Sequence, residues 1–173
     1  AAAICEAPES LRSKAGFQLN AARLNADILK FAPRELMSDR HFVLAAAKVT
    51  ALAMKYAAKE LRDHRELALA VVRCSWVALQ FVSTELRADR DFILAAVQEG
   101  GGALQYASAE LRNDKEVVLA AVIKDGLALQ FASEELRANK EVVLVAVRNQ
   151  PEAVTHAASE VTSKARFWLA AAK

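Results

Sequence analysis

NDKEVVLAAVIKDGLALQFASEELR, Asn113 to Arg137, falls on itself when the chain is shifted by 25 residues in either direction. Leu11, Leu36, Leu61, Leu86, Leu111, Leu136 and Val161 stand at one constant spacing. Leu19, Leu44, Leu69, Leu94, Leu119, Leu144 and Leu169 make a second such series, without insertion or deletion. A fixed period of this length marks a tandem-repeat protein.

Within one unit the first half, DKEVVLAAVIK, reads as a helix. Two N-caps compete for its start. Asn113 with Glu116, like Asp63 with Glu66, fits a capping box. Asp39, Asp89, Asp114 and Asn139, which share one column, fit a simple N-cap. The run VVLAAV has no polar face, so the helix is expected to be sandwiched between neighbours. Ala95, Ala120 and Ala170 share a column whose small side chains would let adjacent helices approach. Cations at Lys48, Arg73 and Arg148 suit the helix C-terminus.

A short connection follows, through the column Asn25, Thr50, Ser75, Gly100, Asp125 and Gln150, mostly good N-cap residues. Pro151 suits the first position of a second helix. That helix carries Leu104, Tyr106 and Ala107, with Leu111 beyond. The column Ser83, Ser108 and Ser133 also contains Pro8 and Pro33, and proline disrupts a helix interior. A break is therefore expected there, followed by a tight helical turn, SxELR, closed by arginine. The result is an all-α fold, an α-solenoid of 25-residue helical hairpins. A half unit spans 1–12, six full units span 13–37, 38–62, 63–87, 88–112, 113–137 and 138–162, and a half unit spans 163–173. A single hairpin buries too little to offset its ordering entropy, so each must stack on its neighbours. In the first copy Gln18 and Asn20 replace apolar or small residues. That helix is expected to face water or a different neighbour, as a cap would.

Composition narrows the classes. The hydrophobic fraction is 54% but aromatics are only 6%, which suits short, closely packed helices rather than β structure. Net charge is +2, from 23 basic and 21 acidic residues, so no globally basic surface for nucleic acid or lipid is indicated. No apolar run approaches the roughly 20 residues that span a bilayer. Cys5 and Cys74 share no metal spacing and suggest an intracellular, reducing compartment. The chain begins without methionine or a signal-peptide pattern and stops inside a repeat. Further repeats of its own polypeptide, or another subunit, are expected to cover the final helix around Trp168.

The phrases DRDFILAAVQEGGGALQYASAELR (89–112) and DKEVVLAAVIKDGLALQFASEELR (114–137) resemble the helical repeat catalogued as domain of unknown function 4116. The likeness covers nearly the whole chain and is sharpest in the four middle units. It implies tandem arrays of the kind common in microalgae and other protists, and seen in some bacterial pathogens. It brings no catalytic residue and no assigned role.

Nor does the chain offer chemistry of its own. His41, His64 and His156 occupy three different columns and converge on no metal geometry. His156, aligned with the aromatic column, reads as a partly buried packing residue. Gly100, Gly101 and Gly102 lack a following Gly-Lys-Ser/Thr and read as a loosened turn. Glu60, Glu85, Glu110 and Glu135 recur with Arg62, Arg87, Arg112 and Arg137. Equivalent copies in a row form a structural ladder, whereas catalytic carboxylates come as a pair in unlike environments. The ladder is expected to pair across adjacent units or with the Asp of the following helix. Basic columns alone would suit RNA, but acidic residues share their corner, which disfavours nucleic acid.

Variable positions in the regular frame point to protein partners. These are Trp76, at the start of a second helix, Trp168, and the polar column of Lys55, Gln80, Gln105 and Gln130, which also contains Lys30 and Thr155. The reading is a non-enzymatic scaffold without cofactor, a linker or peripheral subunit of a larger assembly. In the algal setting that the resemblance suggests, the host would be an organellar, photosynthetic complex of the plastid. The alternatives are a free protein-binding adaptor or effector module and, after it, an RNA-binding repeat protein.

Overall fold

The computed structural model describes residues 8–163. Cys5, Leu169, Ala170, Trp168 and most of the last half unit lie outside them. The chain divides into two compact units, residues 1–83 and 84–173, and both are built from the same parts. The fold is an all-α tandem repeat, and every element of the described residues is helical.

Each copy opens with a long α-helix. Among the described residues the second unit holds Arg90–Glu99, Lys115–Lys124 and Lys140–Asn149. The first holds Ala15–Leu24, Arg40–Ala47 and Arg65–Cys74. The competition for their N-caps is decided in favour of the Asp column. Asp39, Asp89, Asp114 and Asn139 all accept backbone N–H bonds from the first turn. His64 takes the same place, its Nδ1 accepting from Leu67 N. Asn113 is instead the C-cap of the preceding turn, Ala109–Arg112.

These helices are buried on one face only. In the second unit Phe92, Ile93, Ala96 and Val97 are buried, as are Val117, Val118, Ala121 and Val122, and Val142, Val143, Ala146 and Val147. This i, i+1, i+4, i+5 pattern is a single stripe. The expected sandwich is therefore one-sided. Ala95 and Ala120 are only half-buried, and the small column at the close approach is the next one, Ala96, Ala121 and Ala146, all fully buried.

The second helix of each hairpin is a 3-10 helix in five of the six described copies, for example Gly101–Tyr106 and Gly126–Phe131. Only Leu52–Tyr56 is α. Six residues make two 3-10 turns and rise higher per residue than an α-helix. Four of the five carry two adjacent buried side chains, such as Ala103 with Leu104 or Ala128 with Leu129, and Pro151–His156 carries Ala153 alone. Gly101 and Gly102 lie buried inside this helix, so they are not a loosened turn.

The break falls where proline predicts it. Residues 33, 58, 83, 108, 133 and 158 separate the second helix from the closing turn. Their N–H groups do more than interrupt. Ala58 N donates to Met37 O at 2.9 Å and Ser83 N to Arg62 O at 3.3 Å; in the second unit Ser133 N donates to Arg112 O and Ala158 N to Arg137 O, both at 2.9 Å. Each bond ties one copy to the one before it.

Pro33 has no N–H and cannot make that bond to Arg12 O. Gln18 makes it instead, with Nε2 donating to Arg12 O at 2.8 Å. The side chain expected to face water is thus buried, 1% exposed; Asn20 is exposed. Gln18→Val, which restores the residue type of later copies, should therefore lower stability by about 1–2 kcal/mol, the cost of orphaning a buried carbonyl. Adding Pro33→Ser should recover most of it by restoring the donor. Additive losses in this double-mutant cycle, read from urea midpoints, would refute the substitution of one bond for the other.

Candidate functional site

No chemical centre emerges from the described residues. No group of three or more His, Cys, Asp and Glu side chains is placed among them to hold a metal. No helix of theirs is long and apolar enough to cross a membrane. The surfaces are what remain, and the repeat fixes them column by column.

The polar column lies on the second helices. Gln80 Nε2 donates to Val77 O at 3.0 Å, Gln130 Nε2 to Leu127 O at 3.1 Å, and Thr155 Oγ1 to Glu152 O at 2.8 Å. These side chains fold back on their own turn. Gln105 is half-buried. The Lys55 ammonium stands 5.3 Å from the Tyr56 ring centroid. Trp76 is half-buried at the first position of Trp76–Phe81. His156 is half-buried.

The ladder residues sit on the closing turns. Glu60, Glu85, Glu110 and Glu135 are exposed, and Arg62, Arg87, Arg112 and Arg137 are half-buried. Each of the four arginines has its Nε enclosed without a hydrogen-bond partner. Arg137 approaches Glu134 of its own turn at 3.9 Å. A hydrogen bond from its own backbone N–H, and one from the Ser108 hydroxyl, hold the Glu110 carboxyl below its ordinary pKa.

A different column supplies ion pairs between copies. In the first unit Arg40 meets Glu66 at 3.5 Å. In the second, Arg90 meets Asp114 at 2.8 Å and also Glu116, and Lys115 meets Glu141 at 2.6 Å. The first residue of one long helix thus reaches the first turn of the next. The bond from Arg90 is the main cause that holds the Asp114 carboxyl below its ordinary pKa, with the Val117 and Glu116 amides helping and burial opposing. A lowered folded pKa means stabilisation that is complete above the unfolded value and lost as pH falls through the folded one. Asp114→Asn should therefore unfold at a lower urea midpoint at neutral pH, with the gap to wild type closing on the acid side. A gap that stays constant into acid would remove this pair from the acid limb.

The long helices contribute the surface that sequence reading misses. Opposite the core stripe, Leu94 and Ala95, Leu119 and Ala120, and Leu144 and Val145 repeat along the second unit, all half-buried. Ile123 adds a side chain 64% exposed. In the first unit Leu19, Leu44, Ala45, Leu69 and Ala70 make the equivalent face. A depression of about 500 Å³ lies on it, lined by Leu19, Arg23, Ala45, Lys48 and Val49. A smaller one of about 470 Å³ in the second unit is lined by residues that include Leu144, Val145, Lys140 and Arg148. The leucine column is visible in the sequence; its outward direction is not.

The repeats match a known family. The family model described as Domain of unknown function (DUF4116) matches three tandem stretches, 16–62, 64–112 and 114–161. The chain belongs to the DUF4116 family. Each matched DUF4116 stretch spans about two of the 25-residue units. No curated protein and no solved structure matches the chain.

Proposed function

We propose that this DUF4116 chain is a non-enzymatic scaffold, a linker or peripheral subunit that binds protein partners within a larger assembly. The half-buried Leu–Ala columns of the long helices carry the reading. Core burial accounts for the opposite stripe, yet apolar residues recur on this face in copy after copy. A repeated apolar surface rimmed by charged residues, here Arg23, Lys48, Lys140 and Arg148, is the usual make-up of a protein-binding face. An organellar host in a reducing compartment is part of the proposal.

Nucleic acid is the weaker reading because Arg40, Arg90 and Lys115 are engaged by carboxylates of the next copy. Phosphate backbones select uncompensated charge. The test uses protein isolated from its source. It should elute in stoichiometric association with other subunits, and Leu119→Glu should abolish that association while helicity is kept. A monomer isolated without partners would remove the linker reading; reassociation only when a separate partner is added would replace it with the adaptor.

A further inference from the structure

The first unit contains a cavity of about 540 Å³ between two closing turns, Arg34–Met37 and Lys59–Arg62. Arg34, Ser38, Tyr56, Lys59, Glu60 and Arg62 line it. From this geometry we infer that the cavity is a binding site for a small soluble molecule carrying a phosphomonoester dianion.

The side chains around this cavity differ from those of the copy that contains Asn113. In one copy of the second unit the matching space is bridged. The Ser133 hydroxyl donates to Asn113 Oδ1, and Asn113 Nδ2 donates to Glu135 at 3.4 Å. Ser38, Ala58 and Glu60 occupy those three positions here. Ser38 is too short to span the gap and Ala58 has no hydroxyl, so the bridge is missing and the space stays open. Met37 also replaces the arginine found at Arg62, Arg87, Arg112 and Arg137.

The charge around the opening differs in the same way. Arg34 and Lys59 share a column that continues as Thr84, Ala109, Glu134 and Ser159. Residues 1–83 hold 12 lysines and arginines against 8 acidic residues, whereas residues 84–173 hold 11 against 13. Arg40, Arg90 and Lys115 are tied to carboxylates. Among the described residues Arg34, Lys59 and Arg62 have no such partner. Arg62 Nε is enclosed and lacks an acceptor, a trait shared by its column, and Arg62 brings it to an open, basic cavity.

Among the lining side chains three cations against the single carboxylate of Glu60 leave an excess of two positive charges, which matches a dianion and overcompensates a carboxylate. Guanidinium forks bind phosphate oxygens in pairs. Tyr56, whose hydroxyl donates to Asp27 Oδ1 at 2.8 Å, is held as a fixed wall for the organic body of the ligand. The volume lies in the range of small-molecule sites.

The probe is inorganic phosphate, titrated into the full chain and followed by calorimetry and by the arginine Nε–H resonances. The expected result is one saturable site, with the Arg62 resonance moving and that of Arg112 still. Lys59→Ala should weaken binding about tenfold, the scale of one charge-assisted hydrogen bond. Ser38→Asn with Ala58→Ser rebuilds the bridge of the later copy without changing net charge, and it should abolish binding in a chain that still folds. Failure to saturate by about 10 mM phosphate, too weak for a dedicated site, would overturn the assignment. So would equal shifts from chloride at matched ionic strength, or binding left intact by the bridged variant. Binding to vesicles doped with phosphatidic acid without binding of inorganic phosphate would overturn the soluble ligand.

Discussion

Gly126→Ala is expected to destabilise the second unit by about 3 kcal/mol, the upper range for overpacking a close contact. A Cβ at Gly126 would lie 2.5 Å from the Ala146 carbonyl oxygen and 3.0 Å from Gln150 Cβ. The first of these is backbone and cannot swing away, so the copy carrying Lys140–Asn149 must move. Neither residue is strained in its dihedrals, since no glycine has positive φ among the described residues. The requirement is close approach alone. Gly101 meets Ala121 O at the same 2.5 Å, and Gly101→Ala should behave alike. Gly16 has nothing within 4 Å of its Cβ position, so Gly16→Ala should be neutral or stabilising by up to about 1 kcal/mol. Urea denaturation read by circular dichroism, with hydrogen exchange in Lys140–Asn149, separates the two cases. An unchanged midpoint for Gly126→Ala would mean that the copies slide apart freely, contrary to their packed faces.

Phe92→Ala should cost more, about 4 kcal/mol, because it empties a fully enclosed site. Phe92 is the largest of the fully buried side chains. Its column reads Phe17, Phe42, Leu67, Phe92, Val117 and Val142, so the size of the side chain varies from copy to copy while its burial in the later ones does not. Phe92→Val should accordingly fall between wild type and alanine. The loss should concentrate in the second unit, since repeat arrays transmit stability chiefly between neighbours. Equal midpoints for the alanine and valine variants would show that the site collapses around the missing ring. The column would then be setting spacing rather than filling volume.

Both predictions rest on columns, and columns are the part of this molecule that sequence displays best. The 25-residue period is legible in Leu11 to Val161, and the break in Pro8 and Pro33, because proline forbids one backbone geometry wherever it stands. The helix start was open between Asn113 and Asp114. One residue of register separates them, and only the observed bonds to Asp114 choose. The 3-10 form of Gly101–Tyr106 is also out of reach, since six residues with two anchors satisfy either winding and packing against the long helices selects between them.

The surfaces were less legible still. Leu119 and Val118 are both apolar in an unbroken run, yet one is half-buried and the other fully buried. A run without a polar face holds no local signal for which side is covered. Gln80 and Gln130 are exposed, as their spacing implies, but they spend their amides on carbonyls three residues back. Pairing of charges over 24 to 26 residues, as in Arg90 with Asp114 and Glu116, depends on how far one helix is displaced along the next.

By itself the sequence determined that this chain repeats, where each unit turns, and that helices fill it, because those follow from spacing and from backbone chemistry within a few residues. The tertiary structure alone decided which stripe of each helix is covered, how Gln18 stands in for the bond that Pro33 lacks, and where the cavity beside Arg62 opens. Those depend on distances between copies, and a separation in space between residues 20 or more apart is not written in either of them singly.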